Sequence, residues 1–556
     1  MPVMTGARAF LEMLRAEGVD TIFGNPGTSE SAIMALLPEY PDLRYLLATQ
    51  EGVAMGMADG YAVSGRRPAV VSLHIETGLA NGISLLHHAM DGGAPLVLTA
   101  GNKDIRKLAE GRSDLVEMVR QFTKWSAEVT HPEQVPGVVR RAFQEAKSPP
   151  TGPVFVGFAA NALDGDAEVT IAPSAARIGA PTPNASTVEE AAVMLAGSAC
   201  PVMLVGDRLA QAEGMDAAVR VAEKLGARVY ATSIARANFS SGHGQFLGRI
   251  NPTLPAGREL LADADVILAV GANVFSGFFY VSGPSLSPGT KLIHLDSSLR
   301  DIGRIEPTDL ALFGDPRAGL EMLEDALAGQ MDTAGNNRAA ERRRAVQNIK
   351  ALNQAGWEES LRKSWGARPM SPERMMHELG AALPSNAIVV DDSLSSKDAL
   401  HGAVKFNEAD SIYGERIGAI GWGMGAGLGV KLANPARPVL AVTGDGSAMM
   451  TVQALWTAAN YGIPTVYLVC NNRSYRILKL NMNVHQREIL GRTVEEGFEG
   501  YVGMDFPLPL NIAGIAEAIG VYGRTITDPE EIGPEIRKAL DSGRPAVLDV
   551  VIDGRL

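Results

Sequence analysis

Short runs of apolar, mostly β-branched residues alternate along the chain with longer stretches of helical periodicity. Ala69-Val70-Val71-Ser72-Leu73, Leu96-Val97-Leu98-Thr99-Ala100 and Val154-Phe155-Val156 form a first group. The rhythm returns at Val202 to Val205, Val266 to Val270 and Leu292 to Leu295, and again at Ile388 to Val390, Val439 to Val442, Val466 to Val469 and Ala546 to Val551. Runs without polar alternation suit strands buried on both faces of a parallel sheet, and strands alternating with helices predict α/β layers. The expected fold class is therefore α/β in three domains, each a mainly parallel sheet flanked by helices. Two stretches interrupt the rhythm. Ile171 to Asn184 is rich in Pro, Ala and Ser without periodicity and reads as a linker. Asn336 to Gln354 is a polar helix with charges on all sides around Arg342, Arg343 and Arg344, solvated rather than core-facing. These breaks predict domains near 1 to 175, 185 to 335 and 350 to 556.

Composition agrees. A chain of 556 residues is too long for one core, and about 150 residues per domain suggests three or four. Hydrophobic residues at 46% and charged residues at 20% are those of packed globular chains, not of disorder. Sixty-three acidic residues against 50 basic ones leave a net charge of -13, which gives nucleic-acid binding little support. Cys200 and Cys470 are the two cysteines, too few and too far apart for a disulfide framework or a cysteine metal cluster; a reducing compartment is expected. Met1 to Gly18 carries Arg8, Glu12, Arg15 and Glu17 and is unlike a signal peptide. No uncharged apolar run approaches the roughly 18 residues that span a bilayer. The expectation is a cytoplasmic protein with no membrane partner.

The strongest chemical signal is Gly444-Asp445-Gly446-Ser447 after the run Val439 to Val442, followed by Asn471-Asn472 at the end of the next run; 24 residues separate Gly446 from Asn471. Carboxyl ends of neighbouring parallel strands lie together, so Asp445 and Asn472 can converge across an intervening helix. A carboxylate and an amide oxygen are hard donors suited to Mg²⁺ or Ca²⁺, whose shell would be completed by a backbone carbonyl, water and phosphate oxygens. Gly444 and Gly446 let phosphate approach the backbone, and a helix opening near Ser447 offers N–H groups to an anion. Taken singly, each motif also reads as a tight turn or a strand-ending loop. Together they read as a metal-diphosphate anchor.

This pairing resembles the thiamin diphosphate signature of the 2-oxoacid decarboxylase and acetolactate synthase superfamily. The resemblance covers nearly the whole chain. Around Asn25-Pro26-Gly27-Thr28, Leu73-His74 and Ala454 to Ala459 the chain looks most like benzoylformate decarboxylase. The resemblance implies thiamin diphosphate-binding folds for the first domain, which takes the aminopyrimidine, and the third, which takes the diphosphate. It implies a Rossmann-like middle domain, structural or, in the synthases, binding FAD. It also implies active sites shared across a dimer interface, with a homotetramer as the expected assembly.

Residues can then be carried over one by one. Glu51, in Thr49-Gln50-Glu51-Gly52, matches the family glutamate, whose hydrogen bond to the pyrimidine ring favours the imino tautomer that takes the thiazolium proton. Alone, a glutamate there would be read as helix-dipole stabilisation. Ile420 falls where the family places the apolar wedge that bends the cofactor, with the Gly418 carbonyl set for its amino group. Glycine-dense Gly423 to Gly429 reads as close helix packing rather than a dinucleotide loop. Thr28 matches an active-site serine; its hydroxyl either holds the substrate carboxylate or caps a helix. His74 falls on the first catalytic histidine and either relays protons or serves structure. Ser395 matches a phosphate-binding hydroxyl, with a turn cap as its other reading. Ser474 would offer its carbonyl to the metal, Tyr475 would line the cofactor, and Tyr475 to His485 with Glu495 to Met504 would close over the site. His87 and His88 are assigned to helix packing or surface.

One departure stands out. The family pattern places a second histidine at about Phe278, and this chain has none. A phenyl ring delivers no proton, so slower protonation after decarboxylation, and more carbon-carbon bond formation with an aldehyde acceptor, is expected. The resemblance thus implies a decarboxylase of a 2-oxoacid with possible carboligation. An acetolactate-synthase-like carboligase with FAD and a catalytically silent homologue with a binding or regulatory role are the rivals.

Overall fold

The computed structural model describes residues 2–494 and 500–556. Part of the expected closing segment, residues 495–499, lies outside the described residues. Three six-stranded sheets, parallel throughout, carry the apolar runs read from the sequence. The first is ordered Arg44–Leu47, Thr21–Asn25, Ala69–Leu73, Leu96–Asn102, Val154–Ala159, Trp125–Val129. The third is ordered Ile412–Gly414, Ile388–Asp392, Val439–Gly444, Val466–Asn471, Ala546–Val551, Tyr522–Ile526. Numbered along the chain within each sheet, both run 2-1-3-4-6-5. The middle sheet, Phe246–Arg249, Arg228–Ala231, Pro201–Val205, Val266–Val270, Lys291–Asp296, Leu310–Phe313, runs 3-2-1-4-5-6, the order of doubly wound nucleotide-binding folds. An antiparallel pair absent from the sequence reading, Val3–Thr5 with Asp166–Glu168, closes the first sheet's layer.

In these orders the chain reverses direction between the first and third strands of the outer sheets, and ligand crevices of open α/β sheets form at such reversals. In the first sheet the reversal lies between Thr21–Asn25 and Ala69–Leu73, where Asn25 pairs with Leu73; in the third it lies between Ile388–Asp392 and Val439–Gly444, where Asp392 pairs with Thr443. His74 follows one such strand and Asp445 another.

The helix Glu51–Gly65 is apolar on every side and buried from Glu51 to Val63. Such a helix belongs between layers. It is clasped by the equally apolar helix Trp422–Ala433 of the third sheet's layer. Glycines make the contact: a Cβ on Gly60 would lie 2.4 Å from Ala426 O, and one on Gly429 would lie 1.9 Å from Met57 O. The glycine-dense stretch thus serves helix packing. One apolar cluster runs through both layers, from Phe23 to Val547; each outer sheet also buries a further cluster of its own, and the middle sheet has clusters that do not join the shared one.

The linker reading matches an irregular stretch after Val169, tied down where Ser174 Oγ donates to Glu17 at 2.7 Å. The polar helix extends over Thr333–Ser364. Two of its arginines depart from the solvated reading, which Arg344 keeps: Arg342 Nε donates to Leu225 O at 3.0 Å and Arg343 to Glu223 O, at the end of helix Met215–Leu225 where carbonyls have room for further donors. Cys200 and Cys470 are free thiols. Among the described residues no helix is long and apolar enough to cross a membrane.

Candidate functional site

The first crevice gathers Asn25 to Glu30, Glu51, His74 and Asn81. Glu51 opens its helix behind the Gln50 cap, whose side chain accepts from Val53 N at 3.0 Å. Only 8% exposed, its two oxygens accept from Asn25 Nδ2 at 3.1 Å and Asn81 Nδ2 at 3.0 Å. Both partners are neutral amides, so this buried acid is oriented without a cation. A Cβ on Gly78 would come 3.3 Å from Glu51 Oε1, so the following helix passes close by.

His74 caps the helix Ile75–Gly92 and lies half-buried beside the Asn25-Pro26-Gly27 loop. Its ring occupies space that Gly27 leaves: a Cβ there would fall 2.2 Å from Nδ1. Nδ1 meets Ser29 Oγ at 2.8 Å and Glu30 Oε2 at 3.2 Å, while Nε2 has no partner among the described residues. Glu30, 1% exposed, also accepts from Gly27 N at 2.9 Å, Ser29 Oγ at 2.6 Å and Gly101 N at 2.8 Å. It therefore fixes both the loop and the imidazole. Ser29 and Glu30 were missed in the sequence reading; a glutamate three residues after Gly27 was the available signal. Thr28 is exposed at the mouth, and its hydroxyl caps no helix among the described residues.

His87 is exposed against Phe122 and His88 is fully buried. His88 Nδ1 bonds Asp59 at 2.6 Å and its ring stacks on Trp422, a packing role across the two clasped layers.

The second crevice gathers the residues read as a metal-diphosphate anchor. Asp445 is 1% exposed, with Oδ1 accepting from Gly446 N at 2.9 Å and Oδ2 from Arg473 N at 2.8 Å. Burial outweighs these N–H donors and pushes its carboxyl up to about 6. A carboxylate so placed is short of positive charge. Asn472 Oδ1 accepts from Ser474 N at 3.0 Å, and its Nδ2 reaches Ser395 Oγ at 3.4 Å. Between them Arg473 is left-handed at φ 56°, which folds the loop back over Asp445. Gly446 is required for space: a Cβ would fall 2.5 Å from the Tyr475 ring, which lies edge-on to Phe506. Ser447 is buried on the same turn, and Gly444 is unobstructed. Residues 504–506 pair back on this loop, through Tyr475 N to Met504 O at 2.7 Å and Phe506 N to Arg473 O at 2.8 Å. Of the expected closing segment, Met504 is the residue that pairs with this loop.

Above this crevice, Ile417 at φ 55° and Gly418 at φ 76° turn the chain so that Ile420 is half-buried and its N–H meets Gly418 O at 2.9 Å. That carbonyl keeps a lone pair for another donor. Buried Asp392 holds the helix that follows, accepting from Gly421 N at 3.0 Å and Gly423 N at 3.1 Å. Burial, then the nearby Glu415, raises its carboxyl well above the usual range.

The Phe278 loop lies apart from both crevices' hydrogen bonds. Phe278 is 96% exposed, and Phe279 packs at 5.7 Å from the ring of His485, which ends the stretch after Tyr475. An imidazole therefore does face this loop, though from another element.

The crevice of the middle sheet is filled by its own groups. Gly206 N donates to Val270 O at 3.1 Å and Arg208 N to Gly271 O at 3.0 Å, stitching its two lips together. Arg208 pairs with Asp296 at 2.7 Å and Asp301 at 2.9 Å, so the acids that end and follow Lys291–Asp296 are already engaged.

Comparison with known proteins agrees with this architecture. Residues 4–124, 188–323 and 395–550 match, in chain order, the N-terminal TPP binding domain, the central domain and the C-terminal TPP binding domain of thiamine pyrophosphate enzymes. Benzoylformate decarboxylase of Pseudomonas aeruginosa is 31% identical over 550 residues, 98% of each chain. A probable acetolactate synthase large subunit of Methanocaldococcus jannaschii is 26% identical, over 99% of this chain and 92% of its own. A solved thiamine diphosphate-dependent 4-hydroxybenzoylformate decarboxylase of Rhodococcus jostii RHA1 superposes with a TM-score of 0.84 at 27% identity over 99% of both chains. With three family domains in order and likeness along its whole length, this chain belongs to the thiamine pyrophosphate enzyme family.

Proposed function

We propose that the protein is a thiamin diphosphate-dependent 2-oxoacid decarboxylase of the benzoylformate decarboxylase type, which can also join the decarboxylated fragment to an aldehyde. The carrying observation is Glu51, a buried acid held by two neutral amides in the first crevice. Bound thiamin diphosphate supplies an electron sink for the pair left when carbon dioxide departs. Glu51 would bind its pyrimidine ring and Ile420 would support its bend. Gly418 O, Ser395, Gly444, Gly446, Ser447 and Tyr475 would line it. Asp445, Asn472 and the Ser474 carbonyl would hold Mg²⁺ or Ca²⁺; the fit is good because Asp445 is a buried carboxylate lacking a countercharge. His74, with Nδ1 fixed by Ser29 and Glu30, would move a proton at Nε2, and the Thr28 hydroxyl would meet the substrate carboxylate.

The two crevices of one chain share no hydrogen bond among the described residues, which suits a site completed by a second copy; a dimer is the minimum assembly and a tetramer is proposed. The carboligase reading is favoured by the Phe278 loop, which carries no imidazole of its own. The flavin-dependent reading is disfavoured by the stitched middle crevice. Intact Glu51 disfavours a silent homologue.

The test is carbon dioxide release from a panel of aromatic and aliphatic 2-oxoacids, with and without added aldehydes, using Glu51→Gln as control. Equal release from both proteins would end the proposal.

A further inference from the structure

The middle domain's stitched crevice leaves one acid pointing elsewhere. Asp207, next to Gly206, turns toward the third domain. Its Oδ2 accepts from Arg416 Nε at 2.9 Å and from Ser233 Oγ at 2.9 Å, and its Oδ1 from Asn238 Nδ2 at 3.1 Å. The side chains of Arg416 and Asp207 are 7% and 13% exposed. Burial alone would raise the Asp207 carboxyl, but Arg416, Asn238 and Ser233 outweigh it and hold it below the ordinary carboxylate range. A charge-assisted pair this deep, with its remaining oxygen satisfied, is a specific joint rather than a surface contact.

The joint touches all three domains. A Cβ on Gly92 of the first domain would fall 2.8 Å from Arg416 Nη1, and Gln211, four residues beyond Asp207, donates to Gly92 O at 2.7 Å. The strand that ends just before Arg416 is held by the same middle-domain loop. Gly414 N donates to Ala235 O at 2.7 Å, Tyr413 bridges Arg236, and Arg236 reaches Val63 O at 3.3 Å. Directly after Arg416 come the left-handed Ile417 and Gly418, with Ala419 N returning to Arg416 O at 3.1 Å. A β-branched residue occupies the left-handed region only where its surroundings impose it. Arg416 is the last anchored residue before that turn, and the turn carries Gly418 and Ile420.

We propose that the Asp207–Arg416 pair is a positioning device through which the middle domain holds residues 415–421 in the shape that takes the cofactor. The crevice that would house a nucleotide in this fold has become the seat of an arm serving the other site. The inference rests on the assignment of Gly418 and Ile420 to thiamin diphosphate. Arg208 supplies the control, because it pairs with Asp296 and Asp301 in the same crevice and does not touch the loop.

The experiment compares the parent with Asp207→Asn, Arg416→Met, Arg416→Lys and Arg208→Met. Two quantities are read: hydrogen exchange of the peptide spanning 415–421 in the cofactor-free protein, and calorimetric affinity for thiamin diphosphate with magnesium. Asp207→Asn and Arg416→Met should speed exchange in that peptide and weaken cofactor binding about tenfold. Arg416→Lys should recover part of both, and Arg208→Met should leave both near the parent. Unchanged exchange in Asp207→Asn, or an equal loss in Arg208→Met, overturns the proposal. Should Arg416→Met fail to fold, the isosteric Asp207→Asn decides. Should the parent take up no thiamin diphosphate, the functional assignment falls, and the exchange measurement alone decides whether the pair positions the loop.

Discussion

At the scale of single residues, the two acids with the plainest roles differ in what surrounds them. Glu51 is held by neutral amides and Asp445 by backbone N–H groups, so each is buried and oriented without a side-chain cation. Glu51→Gln keeps the shape and removes the acid; the rate of carbon dioxide release should fall at least about a hundredfold. A steady-state assay at saturating cofactor checks it. Away from the site, burial lowers the His401 imidazole from 6.5 to about 4, and its Nε2 is buried without a partner. Between those values the unfolded chain binds a proton that the folded chain refuses. Stability should therefore fall as pH drops from about 6.5 to about 4, by up to about 3 kcal/mol from this group. His401→Phe should flatten that loss in thermal midpoints taken at pH 7 and 4.5, and parallel curves for parent and variant would refute it. Asp445, Asn472 and Glu51 were legible in the sequence because each sits in a motif at a strand end. Ser29, Glu30 and Arg416 were not, because their significance lies in where the side chain points, which no spacing specifies.

At the scale of elements, the clasp between Glu51–Gly65 and Trp422–Ala433 depends on missing side chains. Adding one methyl at Gly429 places it 1.9 Å from Met57 O, and backbone cannot yield there as a flexible side chain would. Gly429→Ala should cost about 3 kcal/mol or more, read from the denaturation midpoint. Strands were the most legible elements, since runs such as Val439 to Val442 have no polar face to confuse the period. The edge strand Trp125–Val129 was missed for the converse reason: it is only half-buried over most of its length and reads as mixed. The polar helix was found, but not its length of 32 residues or the carbonyls its arginines serve, because both depend on a partner helix distant in the chain.

At the scale of the whole molecule, the strand orders account for where the chemistry sits. Both outer sheets reverse between their first and third strands, and His74 and Asp445 follow strands that flank those reversals. The order itself was beyond the sequence, which shows that strands alternate with helices but not which strands are neighbours. If each working site combines the Glu51 crevice of one copy with the Asp445 crevice of another, mixing two inactive proteins should restore activity. Unfolding and refolding Glu51→Gln with Asp445→Asn as an equimolar mixture should recover roughly a quarter of parental activity in a dimer with two sites. Recovery of none would place both acids in the same site of one copy. A last consequence belongs to the apolar cluster that runs unbroken from Phe23 to Val547 while the middle sheet keeps its own. Each outer layer also buries a cluster of its own, but both are tied to that shared interior, so a heating scan in a calorimeter should resolve two endotherms rather than three, with the ends of the polypeptide melting as one unit and its centre as another.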